Sequence, residues 1–499
     1  MKKIMILLSA LAALVSCNLE QYPYSEVAAA DYVRDAASVN NLVMGAYNGL
    51  YDVIIKEWAM TELRTDNVRM RVNASNSAET KLLEALDQGT QLSDHTWVDD
   101  YWNAAYVVIN RANGIFPYLD KVSDGALKAQ YEGEARFLRS WMYFNLVRLW
   151  GPVFLVTSGT SAEVARWMQR SPVEDVYAQI EEDLETIVDG NLLPETMPAA
   201  DLGRATLLAA KSMLAKVYMT HYKAGDAKYA QAKTLLGEVL TACKNPSSGA
   251  SLVKYADIFS TKNECNAEII FAVRYKAGRL GIGAPFSTLF GPLNNANVVV
   301  MGSPKHYNFP SDDLIAAFDP ADKRKDVTLK ENYYNPISGV LVEGASGRYC
   351  NKFIDPDMTA ENDAETDWPV IRLADVMLLY AEASNELGGP SQEALTLLNA
   401  VRQRAGLPDY SLTDLASKYT FRMAVRQERR VEFAMENQRW FDLMRWGVAV
   451  PTVNNFLATE PFYSGYDYVV NPISEWQVLL PIPVAVLNVN KEVAQNPGY

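Results

Sequence analysis

The chain has 499 residues, 49% of them hydrophobic and 21% charged, enough to bury a large core and unlike a disordered or fibrous chain. Its formal net charge of −14 excludes a general basic field for nucleic acid or an anionic membrane and leaves neutral and cationic ligands open. Aromatic residues make up 11%, more than a plain core demands, whereas His95, His221 and His306 are the only imidazoles available for metal or nucleophile chemistry.

At the start of the chain, Lys2 and Lys3 precede the apolar run from Ile4 to Val15, the layout of a secretory signal and too short to span a bilayer. Leu14-Val15-Ser16-Cys17 closes that run in the manner of a bacterial lipobox. The lipobox predicts removal of residues 1–16 and acylation of Cys17 on its sulfur, palmitate fashion, and on its new amino group. Several acyl chains on one residue anchor stably, because each buried CH₂ contributes about 0.8 kcal/mol. The alternative is an ordinary secretory signal in which Cys17 is incidental. Cys243, Cys265 and Cys350 then remain, an odd number with no CxxC or His/Cys cluster to hold a metal. A Cys243–Cys265 bridge stays open, since sequence does not test its geometry.

Helices dominate the remaining pattern. Residues 134–150 bring Phe137, Leu138, Trp141, Phe144, Asn145 and Arg148 onto successive turns of a buried helix that Gly151-Pro152 stops. Ser171-Pro172-Val173-Glu174 predicts a capping box with Pro at the first helical position, and the helix runs through Ile180 and Leu184 to Gly190. Leu214-Ala215-x-x-Tyr218 is followed by Ala232-x-x-x-Leu236, and Tyr380-Ala381 by Ala394-x-x-x-Leu398. Both echo tetratricopeptide helix pairs, with spacings longer than the regular repeat; generic helical hairpins are the plainer alternative.

Roughly 241–370 is rich in Gly, Asn, Pro and aromatic residues and predicts long loops, with short strands at Glu268–Tyr275 and Val298–Met301. Residues 66–102 also read as an irregular stretch, and irregular segments of this length inside a folded chain are usually functional. On location in such loops, the candidate ligand contacts are Asp66, Asn67, Arg69, Trp97, Asn294, Asn295, His306, Tyr307 and Tyr333. The segment 426–446 interleaves Glu428, Glu432 and Glu436 with Arg429, Arg430, Arg439 and Arg445 among aromatic residues, which predicts a buried ion-pair network on one helix.

Catalytic patterns are missing: no GxSxG, HExxH or GxxxxGK[ST] occurs, and no cofactor motif. Asp355-x-Asp357-x-Thr359 opens like a calcium loop but has Ala360 at its sixth position, where glycine is needed. The supply of carboxylates leaves a glycosidase open without supporting one.

Several segments in order resemble the SusD/RagB-like outer-membrane lipoproteins of Bacteroidetes. They are Cys17, Trp102–Tyr106, FLRSWMYFNLVRLWGPV (137–153), GRATLLAAKSMLAKVYM (203–219), VIRLADVMLLYAEASNELG (370–388), ERRVEF and RWFDLMRWG (428–447), and the closing LLPIPVAVLNVN…QNPGY. The resemblance implies one domain over 17–499, mainly α, with a tetratricopeptide-like scaffold and loop-rich, minor-β insertions that form the binding face. It implies a non-enzyme with no cofactor, lipid-anchored on the exterior of the outer membrane. Such a protein captures oligosaccharide, or peptide in some members, and passes it to a SusC-like TonB-dependent transporter. A helical scaffold that binds only protein partners is the other class to be tested.

Overall fold

Capped, amphipathic segments produce most of the ordered chain. A computed structural model describes residues 32–70, 77–160, 162–244, 252–292, 298–299, 301–335, 338–344, 347–460 and 471–499. Cys17 and the signal segment, and Asn294 and Asn295, lie outside the described residues. The longer helices are α1 (Ala36–Asn48), α2 (Leu50–Met60), α3 (Ala78–Asp87), α4 (Thr96–Asn113), α5 (Gly125–Trp150), α6 (Val173–Gly190), α7 (Leu207–His221) and α8 (Ala227–Cys243). After the insert come α9 (Leu373–Gly388), α10 (Gln392–Ala405), α11 (Lys418–Glu432), α12 (Arg439–Arg445) and α13 (Ala449–Thr459). Side chains of Asp35, Ser77, Asp124, Thr206, Ser391 and Ser417 accept from the first free N–H groups of the helices they precede.

Consecutive helices pack on one another: α4 on α5, α5 on α6, α6 on α7, α7 on α8, α8 on α9, and α9 on both α10 and α11. The small residues expected at helix contacts, Ala215, Ala232, Ala381 and Ala394, are all fully buried. A Cβ built on Gly237 would stand 3.3 Å from the Tyr380 ring, so α8 and α9 approach closely there. Helix α5 is the axis of the body, buried on nearly every side. Arg139 Nε and Nη2 donate to the two oxygens of Asp183 on α6 at 2.8 and 2.7 Å, and its Nη1 donates to Asn113 on α4 at 2.7 Å. Three helices are thereby fixed in register by one guanidinium.

Several local expectations need correction. Pro172 is the N-cap of α6 rather than its first residue, and no side-chain cap forms. The Ser171 N–H instead donates to Val153 O at 2.7 Å in an isolated bridge. Residues 66–102 hold the regular helix α3, capped by Ser77, as well as loops. Val298 and Val299 form a turn and a bend, not a strand. Cys243, Cys265 and Cys350 are all free, and burial pushes their thiols up to about 11, 11 and 12. The calcium-like loop is closed by protein groups: Asp355 accepts the Asp357 and Glu365 N–H groups, each at 3.0 Å. No cluster of three or more potential ligands among the described residues is placed to hold a metal.

The insert contributes four short antiparallel ladders. β2 (Ile269–Val273) pairs with β8 (Trp368–Arg372) and ties the insert to the start of α9. β1 (Val68–Arg69) pairs with β3 (Phe309–Pro310), β4 (Leu329–Lys330) with β7 (Tyr349–Cys350), and β5 (Tyr333–Tyr334) with β6 (Leu341–Val342). β3 also packs on β7, and the Tyr333 ring of β5 meets Tyr349 of β7, so the last three ladders form one loop-rich layer.

The 426–446 segment is the predicted network, but on two helices. Met435 and Asn437, with φ of +66° and +63°, break the chain between α11 and α12. Arg372 donates to Glu268, Glu432 and Glu436 at 2.9, 2.6 and 2.7 Å, and Lys352 to Glu436 at 2.8 Å. Arg429 joins Asp375 and Asp442 at 2.8 and 2.9 Å. The network locks β8, α9, α11 and α12 together beneath the loop layer.

Candidate functional site

Strand alternation explains what the loop layer presents. Successive side chains of a strand point to opposite faces. In the β5–β6 hairpin, Tyr333 lies opposite Val342 and Tyr334 opposite Leu341. Tyr333 turns inward, its ring edge-on to Tyr349 at 6.2 Å. Tyr334 turns outward and is 64% exposed. A flat, exposed ring backed by a second aromatic pair is a stacking platform for the apolar C–H face of a sugar. Exposed Asn332 and Val340 flank it. Tyr334, next to the candidate Tyr333, is not among the sequence candidates; its signal is the Tyr-Tyr pair, one of which must face out wherever a strand crosses the surface.

The structure gathers the other described candidates in or beneath this layer but draws most of them inside. Asp66, Asn67, Arg69, Trp97, His306 and Tyr307 are each no more than 6% exposed, and a surface ligand does not reach them. Many of their polar atoms are already engaged by the protein. Burial opposes ionisation of Asp66, yet the guanidiniums of Arg439 and Arg430 overcome it and hold its carboxyl at about 2. Asn67 donates to Glu62 at 2.8 Å and accepts from Arg430 at 3.1 Å. Arg69 Nε donates to Asp87 at 3.2 Å, and His306 Nε2 meets the Arg348 carbonyl. Trp97 and Tyr307 converge on Trp58: Trp97 is edge-on to it at 5.8 Å, and Tyr307 stacks on it at 5.6 Å. Long polar and aromatic side chains in this segment join the loop layer to the helical body.

Among other exposed aromatics, Trp167 lies on a segment held by Asn490, and Trp476 packs edge-on to Tyr499 at 4.8 Å. A cavity of about 350 Å³ lies between residues 195–208 and β2. Its wall is mainly aliphatic, and its Arg204 is engaged by Glu134 at 2.8 and 2.7 Å. The ring that lines this cavity, Phe271, is buried and offers no open face to a sugar.

A helical-pair scaffold carrying a loop-rich, weakly β layer defines the class of the protein, and sequence comparison gives the family. Residues 295–499 match the model described as the SusD family, and residues 19–219 match that described as starch-binding associating with outer membrane. The chain belongs to the SusD/RagB-like family. It is 27% identical to SusD-like protein P25 of Formosa agariphila, over 97% of each chain. It is 30% identical to a SusD-like protein of Bacteroides ovatus, over 69% of this chain and 65% of that one. A solved laminarin-binding SusD-like protein superposes with a TM-score of 0.78 at 25% identity, covering 93% of this chain and 100% of the other.

Proposed function

We propose that the protein is an outer-membrane lipoprotein that binds oligosaccharide at its loop-rich layer and passes it to a partner TonB-dependent transporter for import. The exposed Tyr334 platform on the β5–β6 hairpin carries this reading. Similarity to a laminarin-binding protein and to a model described as starch-binding and outer-membrane-associated supports the ligand class and the location. The lipobox at Cys17 supports the anchor, and no described helix is long and apolar enough to cross a membrane. A shallow aromatic site binds modestly, so presentation near a transporter raises effective concentration where affinity does not. The protein binds its glycan and does not cleave it.

Titration with a panel of neutral oligosaccharides, laminarihexaose among them, tests the reading. Tyr334→Ala is expected to weaken binding by roughly 1–3 kcal/mol while leaving the melting temperature unchanged. Binding of no panel member, or an indifferent Tyr334→Ala variant, would remove the site; new reducing ends would make the protein a glycosidase. Cys17→Ala is expected to move the folded protein from the membrane fraction to the soluble fraction. Its retention on membranes would refute the lipid anchor.

A further inference from the structure

A second recognition site is built into the helical body. The end of α7, the loop that follows it with exposed Lys223, the start of α8, and helices α9, α11 and α12 line an open cavity of about 250 Å³. Four cations line it, Lys223, Arg422, Arg426 and Arg445, against two carboxylates, Glu382 and Glu386. Both carboxylates are already matched. Glu386 takes the Arg422 fork at 2.7 and 2.6 Å. Glu382 takes both Arg445 terminal nitrogens and the Trp446 indole N–H, the last at 3.0 Å.

The other two cations are unmatched. Among the described residues, neither the Lys223 ammonium nor the Arg426 guanidinium has a hydrogen bond or ion pair. Arg426 lies over Trp446, 4.6 Å from the ring centroid, and its Nε is buried without an acceptor. A buried guanidinium N–H left unpaired is costly, the more so beside two other guanidiniums. Burial, with the charges of Arg445 and Arg422, outweighs the attraction of Glu382 and Glu386 and holds the Arg426 pKa below its ordinary value. In a chain of net charge −14, carboxylates are plentiful, yet among the described residues none forms a direct pair with either cation.

The wall also suits a sugar. Tyr222, Tyr229 and Trp446 contribute aromatic surface, and the Tyr229 hydroxyl, on an otherwise buried ring, has no partner among the described residues. Among the described residues no strand borders the cavity to pair with an extended peptide backbone.

We propose that this cavity binds the carboxylate of an acidic sugar residue, a uronate, through Arg426 and Lys223, with the tyrosines against the ring. An arginine fork matches a carboxylate bidentately, and the matched Arg422–Glu386 and Arg445–Glu382 pairs hold the surrounding charges in place. The choice of sugar rests on the glycan-binding reading above; the cationic cavity does not.

Calorimetric titration of the full chain with a galacturonate trisaccharide, laminarihexaose and a glutamate-rich peptide, at low and moderate salt, tests this. The acidic trisaccharide is expected to bind saturably, to weaken as salt rises, and to weaken about tenfold or more in Arg426→Ala, Arg426→Gln and Lys223→Ala. Laminarihexaose binding should be unchanged by these substitutions. No saturable binding of the acidic trisaccharide, or binding indifferent to both positions, overturns the proposal. Binding by the peptide alone also overturns it and assigns the cavity to a protein partner. If neutral glycans fail while Arg426-dependent uronate binding persists, the loop-layer reading falls and this one stands; the reverse result removes only this one.

Discussion

Glu432→Gln is expected to destabilise the protein by roughly 3–5 kcal/mol at neutral pH, seen as a lower melting temperature and denaturant midpoint. Glu432 is fully buried. Its two oxygens accept from Arg324 at 2.8 Å, from Arg372 at 2.6 Å and from Arg404. A neutral amide removes the one carboxylate that all three guanidiniums share, leaving Arg324 to Asp322 and Glu428, Arg372 to Glu268 and Glu436, and Arg404 to Glu268, and it turns an N–H toward one of them. Water does not reach the site to relieve this, so the loss approaches that of breaking a buried pair rather than a surface one.

The same carboxylate gives the acid limb of stability. Burial opposes its ionisation, but Arg404, Arg372 and Arg324 hold its pKa well below the ordinary 4.5. Asp66, held at about 2 by Arg439 and Arg430 against its own burial, behaves alike. A depressed folded-state pKa means stability that is complete above the unfolded value and lost as pH falls through the folded one. Wild-type protein should therefore lose stability steadily from about pH 4.5 downward, and Glu432→Gln should show a flatter profile over that range. A variant within about 0.5 kcal/mol of wild type at pH 7 would show that the ion pairs contribute nothing net.

The helical body was legible because burial leaves a local imprint. Apolar residues recur at helical spacing through α5, and Gly151 at φ +71° marks its stop as the sequence implies. The paired alanines of α7 to α10 marked helix contacts for the same reason. The candidate site was legible only as a region. Asp66, Asn67 and Arg69 look like ligand contacts from their neighbours, but Asp66 and Asn67 find their partners at Arg430 and Arg439, more than 360 positions away. No local pattern reports such a pairing. Tyr333 was named and Tyr334 was not, because which of two adjacent tyrosines faces out depends on the register with Leu341 and Val342. The cationic cavity was invisible for a similar reason: Lys223 comes from the α7–α8 loop and Arg426 and Arg445 from α11 and α12, which the fold alone brings together.

Trp58→Ala is expected to cost roughly 3–5 kcal/mol and to loosen the loop layer more than the helical body. Trp58 is fully buried on α2, edge-on to Trp97 and to Phe290 at 5.8 and 5.7 Å and stacked on Tyr307 at 5.6 Å. Its ring thus touches the helical body on one side and the insert on the other. Removing it opens a void at the joint, where the facing aromatics come from elements too far apart in the chain to collapse together. Hydrogen exchange should accelerate in residues 286–292 and 301–310 well before α6, α7 or α8, and glycan binding at the hairpin should fall in parallel. Uniform acceleration through all helices would instead make Trp58 an ordinary core residue. Trp58→Phe separates packing from polarity. The Trp58 indole N–H is buried without a partner, so phenylalanine removes an uncompensated donor while keeping an aromatic ring between Trp97 and Tyr307. Its cost should stay under about 2 kcal/mol, and the hairpin should keep its protection and its ligand. A phenylalanine variant as unstable as the alanine one would mean that the joint depends on the shape of the full indole.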